Sequence, residues 1–268
     1  MPINWHRTQG ADSDVTAVKA AFSGEQMRVA LLEPPATDPR SPHLAMATLH
    51  AVLVEDGADV AVFDAGADGL HWLLQPERVA QSLIGLEKTA ESSRGMNRPA
   101  VTFLRRLGPA IVDGVHDAVA TLNDAQRFYD ATACDTAREL IGRALQLHSA
   151  ANGVHHYGIA PIRYNVAGID PAKLADLRAV TARPDESIFG SYFAELGERV
   201  ASHRPDVVAI SILNHQQIIP GLTVARMLHA SGHFVVIGGT VYAKFVFTAD
   251  ANGGPWNIDD VYVDPYAR

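Results

Sequence analysis

Two stretches of this 268-residue chain alternate short apolar runs with helical segments, and that rhythm limits the fold more than any other feature. Met27-Arg-Val-Ala-Leu-Leu32 is an apolar run stopped by Glu33-Pro34-Pro35, as a buried strand ending in a rigid loop would be. Leu44 to Asp56 is apolar almost all round and ends at Gly57, a residue suited to the left-handed cap after a helix, so a buried crossover helix is expected there. Asp59 to Asp64 reads as the second strand, which makes residues 27–64 a β-α-β unit with parallel strands. The rhythm resumes with a helix over Phe193 to His203, a strand over Asp206 to Ile212, a helix over Ile218 to Ala230 and a strand over Phe234 to Ile237 ending in Gly238-Gly239. A last weak strand is expected over Asp260 to Val263. The fold class is therefore α/β, a flavodoxin-like (Rossmann-like) doubly wound parallel five-stranded sheet.

Between strands two and three lie about 125 residues, far more than an ordinary crossover needs. Helices are expected from Pro76 to Glu91, from Pro99 to about Leu122 and from Cys134 to Ala150, while Asn152 to Tyr164 reads as loop. The domain plan is a polar leader over 1–25, the α/β domain over 26–65 and 191–268, and a helical insertion subdomain between strands 2 and 3 over 66–190. As a surface insertion it is expected to be removable without loss of the sheet.

Composition narrows the function classes. A net charge of −8 without a Lys/Arg cluster argues against nucleic-acid binding. No apolar run is long enough for a membrane span, and the N-terminus lacks a signal-peptide pattern, so a cytoplasmic, non-membrane protein is expected. The single cysteine, Cys134, allows neither a disulfide nor a cluster site built on thiolates from this chain alone. Twelve histidines include His148, His155 and His156, but their spacing fits no metal-ligand pattern and packing or surface roles are preferred, so no metal site is expected.

In a doubly wound sheet the ligand lies over the carboxyl ends of the strands, which here places three loops on one face. They contribute Pro34, Pro35 and Ser41; Ser211, Asn214, His215 and Gln216; and Gly238, Gly239 and Thr240. The glycines would let the backbone approach a ligand closely, or would only form a tight turn. Asn214, Gln216 and Gln217 suit amide hydrogen bonds with a ligand, with helix N-capping by Asn214 the alternative. His215 is either a ligand contact or a plain loop residue.

Together, the segments VALLEPP, SPHLAMATLHAVLVEDGADVAVFDA and RPDVVAISILNHQQIIPGLTVARMLHASGHFVVIGG resemble the N-terminal cobalamin (B12)-binding domain of class B radical SAM proteins. The positions carrying the resemblance include Pro34, Pro35, Pro42, Leu44, Ala45, Gly57, Val60, Pro205, Asp206, Ser211, Pro220, Gly238 and Gly239. It implies a cobalamin-binding domain or subunit serving methyl transfer or a related radical reaction. No Asp-x-His-x-x-Gly loop is present, so base-off binding without a histidine lower ligand is implied. The Cys-x3-Cys-x2-Cys motif is also missing, so S-adenosylmethionine and the [4Fe-4S] cluster would have to come from a radical SAM domain outside this sequence or on a partner chain, and no catalytic residue is assigned. A non-catalytic degenerate partner of the same fold and a nucleotide-binding transferase are the alternatives. The second would need a glycine-rich loop after strand one, where Glu33-Pro34-Pro35 stands instead.

Overall fold

A computed structural model describes residues 26–40, 43–92, 98–239, 246–247 and 256–257. Four parallel strands form its main sheet: β1 (Arg28–Glu33), β2 (Asp59–Asp64), β5 (Val207–Ile212) and β6 (Val235–Gly239), in the order β2-β1-β5-β6. β1 is apolar on both sides and buried from Val29 onward, which suits a central strand covered on two faces. β2 is more exposed, with Phe63 its one buried residue, as suits an edge strand. This is an α/β architecture with a parallel sheet, compatible with a Rossmann-like fold. The expected strand at Asp260–Val263, the leader 1–25, and the site candidates Ser41 and Thr240 lie outside the described residues.

The chain leaves β1 toward β2 on one side, and leaves β5 toward β6 on the other. Between β1 and β5 the winding therefore reverses, which opens a crevice above their carboxyl ends. Helix α1 (Leu44–Glu55) packs Met46 on Val29 and Leu31, whereas α8 (Ile218–Ala230) packs Val224 and Leu228 in the cluster that holds Ala30, Leu32, Val208 and Ile210. Alternate residues of one strand thus feed two cores. α1 is less covered than its apolar sequence suggests: Met46 is its buried residue, while Leu44, Leu49, Val52 and Val54 are exposed.

From Asp64 to Val207 the chain forms α2 (Ala65–Leu73), α3 (Pro76–Ser92), α4 (Arg98–Asn123), α5 (Ala131–Asn152), strands β3 (His155–Ile159) and β4 (Ile162–Val166), α6 (Leu174–Thr181) and α7 (Gly190–His203). The three expected long helices are present within a few residues of their expected ends. The stretch read as loop after Asn152 is instead an antiparallel hairpin, β3 against β4. Its alternation is real but short: His155, Tyr157, Tyr164 and Val166 are buried, and His156, Arg163 and Asn165 are exposed. α2 has two glycines and little intrinsic helix preference. Asp64 caps it by accepting from the Ala67 amide at 2.8 Å, and glycine at 66 leaves room for Thr37, whose Cγ2 would lie 2.3 Å from a Cβ there and would have to move.

One continuous core joins this connection to the sheet. It holds Leu73, Leu86, Val115, Ile141 and Leu145 together with Leu32, Phe193, Leu196 and Ile210. Phe189 stands at its centre, fully buried, with Tyr157 at 5.3 Å and Tyr164 at 6.0 Å between ring centroids. The long connection is thus packed into the same interior as the parallel strands.

Candidate functional site

An open cavity of about 540 Å³ lies at the switch point between β1 and β5. Its walls are Thr37, Asp38 and His43 from the β1 loop, Leu44 and Ala45 at the start of α1, Leu213 to Gln216 after β5, and Ile162 from the hairpin. Six of its ten lining residues are polar, yet the atoms they and Leu44, Ala45, Ile162 and Leu213 expose to it are mostly apolar, a mixture suited to a small molecule with polar edges.

Gln217 holds the two loops together. It is fully buried; its Oε1 accepts from the Leu213 amide at 2.9 Å, and its Nε2 donates to the Pro34 carbonyl at 2.9 Å. One side chain thus satisfies backbone groups that the two strand ends would otherwise leave unpaired. Asn214 adds a second tie: its side-chain oxygen accepts from the Gln216 amide at 2.8 Å, and its Nδ2 donates to the Ala36 carbonyl at 3.4 Å. Ala36 is buried with φ +73°, a left-handed conformation that costs a non-glycine residue on the order of 1 kcal/mol and is retained by these surrounding bonds. Gln216 fixes the hairpin wall by accepting from the Tyr164 amide at 2.5 Å, and its Nε2 meets His215 Nε2 at 2.5 Å.

The expected site residues divide into three groups. Asn214, His215 and Gln216 line the cavity. Pro34 and Pro35 are buried beneath it, Ser211 is buried in β5 opposite Gly238, and Gly238 and Gly239 complete β6, so none of these five is in the cavity wall. At Gly239, φ is +147° and a Cβ would stand 1.7 Å from the Ile212 carbonyl oxygen. Its lack of a side chain serves the β5–β6 approach, so a side chain there would strike the neighbouring strand. Ser41 and Thr240 fall outside the described residues.

Sequence reasoning passed over Glu33, Thr37 and His43. Glu33 ends β1 with only 2% of its surface exposed. Its Oε1 lies against His43 Nε2 but accepts no well-directed hydrogen bond, and Thr37 Oγ1 is 2.6 Å from the same nitrogen. Burial pushes the Glu33 carboxyl up to about 7, against a hydrogen bond from Thr37 and with help from the nearby Asp64 carboxylate. Burial also lowers His43, which Asp64 opposes. Asp38 is the opposite case: hydrogen bonds from Arg40 at 2.8–3.0 Å hold it down at about 2, so the cavity has one paired, ionised carboxylate at its rim.

The other notable histidines are structural. His148 is buried between Ser82 Oγ at 2.7 Å and the Leu73 carbonyl at 2.7 Å, and His155 Nδ1 is 2.9 Å from the Tyr164 hydroxyl. Among the described residues no group of three or more His, Cys, Asp or Glu is gathered as a metal site would require. No helix among the described residues is long and apolar enough to cross a membrane. Comparison with family models, curated proteins and solved structures gave no match.

Proposed function

We propose that this chain binds cobalamin over the carboxyl ends of β1 and β5, as the corrin-holding module of a B12-dependent radical SAM system. The supporting observation is the cavity itself. It lies at the reversal of winding, exposes mostly apolar atoms, and is bordered by Asn214, His215 and Gln216 on loops fixed by Gln217. A corrin offers that wall an apolar macrocycle edged by carboxamides, whose N–H groups the remaining lone pairs of the Asn214 and Gln216 side-chain oxygens accept. At about 540 Å³ the cavity takes one edge of so large a ligand. In this reading the sheet is the flavodoxin-like five-stranded form, completed by residues 260–263, and residues 66–190 are the helical insertion. The site is completed by Ser41 and Thr240, with Pro34, Pro35, Ser211, Gly238 and Gly239 as its supporting floor.

When bound, the corrin would supply the cobalt chemistry of methyl transfer or a related radical reaction. The residues of this chain bind and orient it and exclude water from one edge. The reading keeps the base-off mode without a histidine below cobalt, in a cytoplasmic protein that binds neither membrane nor nucleic acid. S-adenosylmethionine and the [4Fe-4S] cluster come from another domain or a partner chain. The exposed apolar residues Leu44, Leu49, Val52 and Val54 of α1 also suit a protein contact, as the reading of a non-catalytic partner of the same fold would require.

The test is to incubate the purified chain with hydroxocobalamin and separate it by gel filtration. Corrin absorbance eluting with the protein at close to one equivalent is expected, and its absence at tens of micromolar would overturn the proposal.

A further inference from the structure

We propose that Glu33 and His43 form a proton switch in the cavity wall, in which one proton, gained or lost, decides whether His43 Nδ1 offers a bound ligand a hydrogen-bond donor or an acceptor. The inference rests on the cavity being the ligand site, and it adds a residue and a pH dependence to that site.

The geometry separates the two ring nitrogens. Nε2 faces inward, against Glu33 Oε1 and 2.6 Å from Thr37 Oγ1. Nδ1 has no hydrogen-bond partner among the described residues, and His43 lines the cavity. A neutral imidazole carries its proton on one nitrogen and accepts at the other, so the group bonded to Nε2 sets what Nδ1 can do. When Glu33 is protonated its O–H donates to the Thr37 hydroxyl, Thr37 donates its own proton to Nε2, and the imidazole proton sits on Nδ1. When the group loses a proton, Glu33 gives its own to Thr37 Oγ1 as the Thr37 proton passes to Nε2, and the Nδ1 proton leaves to solvent. Glu33 is then a carboxylate accepting from the Thr37 hydroxyl, Thr37 Oγ1 accepts from Nε2–H, and Nδ1 is an acceptor. One proton leaves and the charge of the pair changes from zero to minus one.

An imidazolium facing a carboxylate would hold the same number of protons as the neutral pair. Burial disfavours it, because it raises Glu33 and lowers His43 together. The surrounding charges do not change this order. Asp64, at the end of β2, is close enough to act on both groups, while Asp38 is neutralised by Arg40 within the β1 loop. His215 faces the cavity from the β5 loop, where its Nε2 meets Gln216. α1 contributes only Leu44 and Ala45 to this wall, and Asp68 of α2 pairs with Arg199. The changeover is therefore set near pH 7, with the donor form below it.

The switch is read without a ligand by labelling histidines with 15N and following the His43 ring nitrogens from pH 5.5 to 8.5. The expected record is a change from the Nδ1–H to the Nε2–H tautomer centred near pH 7, without an imidazolium stage. E33Q, whose amide does not titrate, is expected to hold one tautomer throughout. In the parent, a single tautomer across the range, or titration to imidazolium as for a solvated histidine, would overturn the proposal. Methylcobalamin, whose cobalt ligand does not titrate in this range, then gives the functional arm. The wild-type affinity is expected to change severalfold across pH 7 and the E33Q affinity to stay flat. If the tautomer changes as expected but no corrin binds at any pH, the switch stands and the cobalamin reading fails. If corrin binds but both proteins show the same pH profile, the switch has no part in binding and the proposal is refuted.

Discussion

Replacing Glu33 with glutamine should flatten the dependence of stability on pH between 5 and 8. A carboxyl raised in the fold from 4.5 to about 7 favours the native state fully below 4.5, loses that favour as pH rises, and has lost it above about 7. The displacement is worth at most about 3 kcal/mol, and roughly half that if water reaches the carboxyl when it ionises. The glutamine amide keeps the size of the carboxyl and a donor in place of its O–H but does not titrate. His43 is lowered by burial and its own contribution runs the other way, gaining stability as pH rises, but it is common to both proteins. Urea unfolding at pH 5, 6, 7 and 8 should therefore show a difference between E33Q and the parent that moves in favour of E33Q by roughly 1.5–3 kcal/mol from pH 5 to pH 8. Parallel profiles would show that Glu33 ionises as an ordinary solvated carboxyl, and the argument from its burial would fall.

Three further outcomes follow from the packing. Gln217→Ala leaves the Pro34 carbonyl and the Leu213 amide without their partner, so it should cost about 2–4 kcal/mol in urea unfolding and weaken hydroxocobalamin retention on gel filtration. Gly239→Val should lower the melting temperature by at least several degrees, because its side chain meets the Ile212 carbonyl in β5 and not the ligand; unchanged melting would contradict the observed β5–β6 approach. Deleting residues 70–188 behind a short Gly-Ser bridge should give a chain without a cooperative thermal transition in calorimetry, since it removes Leu73, Leu86, Ile141 and Leu145 from the core shared with the sheet.

The parallel strands were legible as short apolar runs, two of them ended by proline or glycine: Leu32 before Glu33-Pro34-Pro35, and Ile237 before Gly238-Gly239. The loops that meet above β1 and β5 followed from that alternation alone. The hairpin was not legible, since its ten paired residues include two buried tyrosines and a buried histidine whose inward side is fixed by contacts with Ser149, Ser187 and Phe189 outside the hairpin and with one another. Nor was α2, a glycine-containing helix that depends on the Asp64 cap and on close packing with Thr37. The roles of Glu33 and His43 depend on a contact between the last residue of a strand and the residue before a helix. A glutamate closing an otherwise apolar strand was the one signal available in the sequence. The separability expected of the long connection failed to anticipate that its helices share the sheet's core.

The most direct test of the account fills the cavity from a position that carries no hydrogen bond. Ala45 lies in the wall at the first turn of α1, partly exposed, where a tryptophan side chain can enter the opening without displacing the core. Equilibrium dialysis of hydroxocobalamin against the parent chain and Ala45→Trp, each with its melting curve, is the measurement. The account predicts near-stoichiometric binding by the parent and at least tenfold weaker binding by a variant of unchanged melting temperature, about 1.4 kcal/mol or more. Equal binding by the two proteins would place the corrin elsewhere, and no binding by the parent would contradict the cobalamin reading itself.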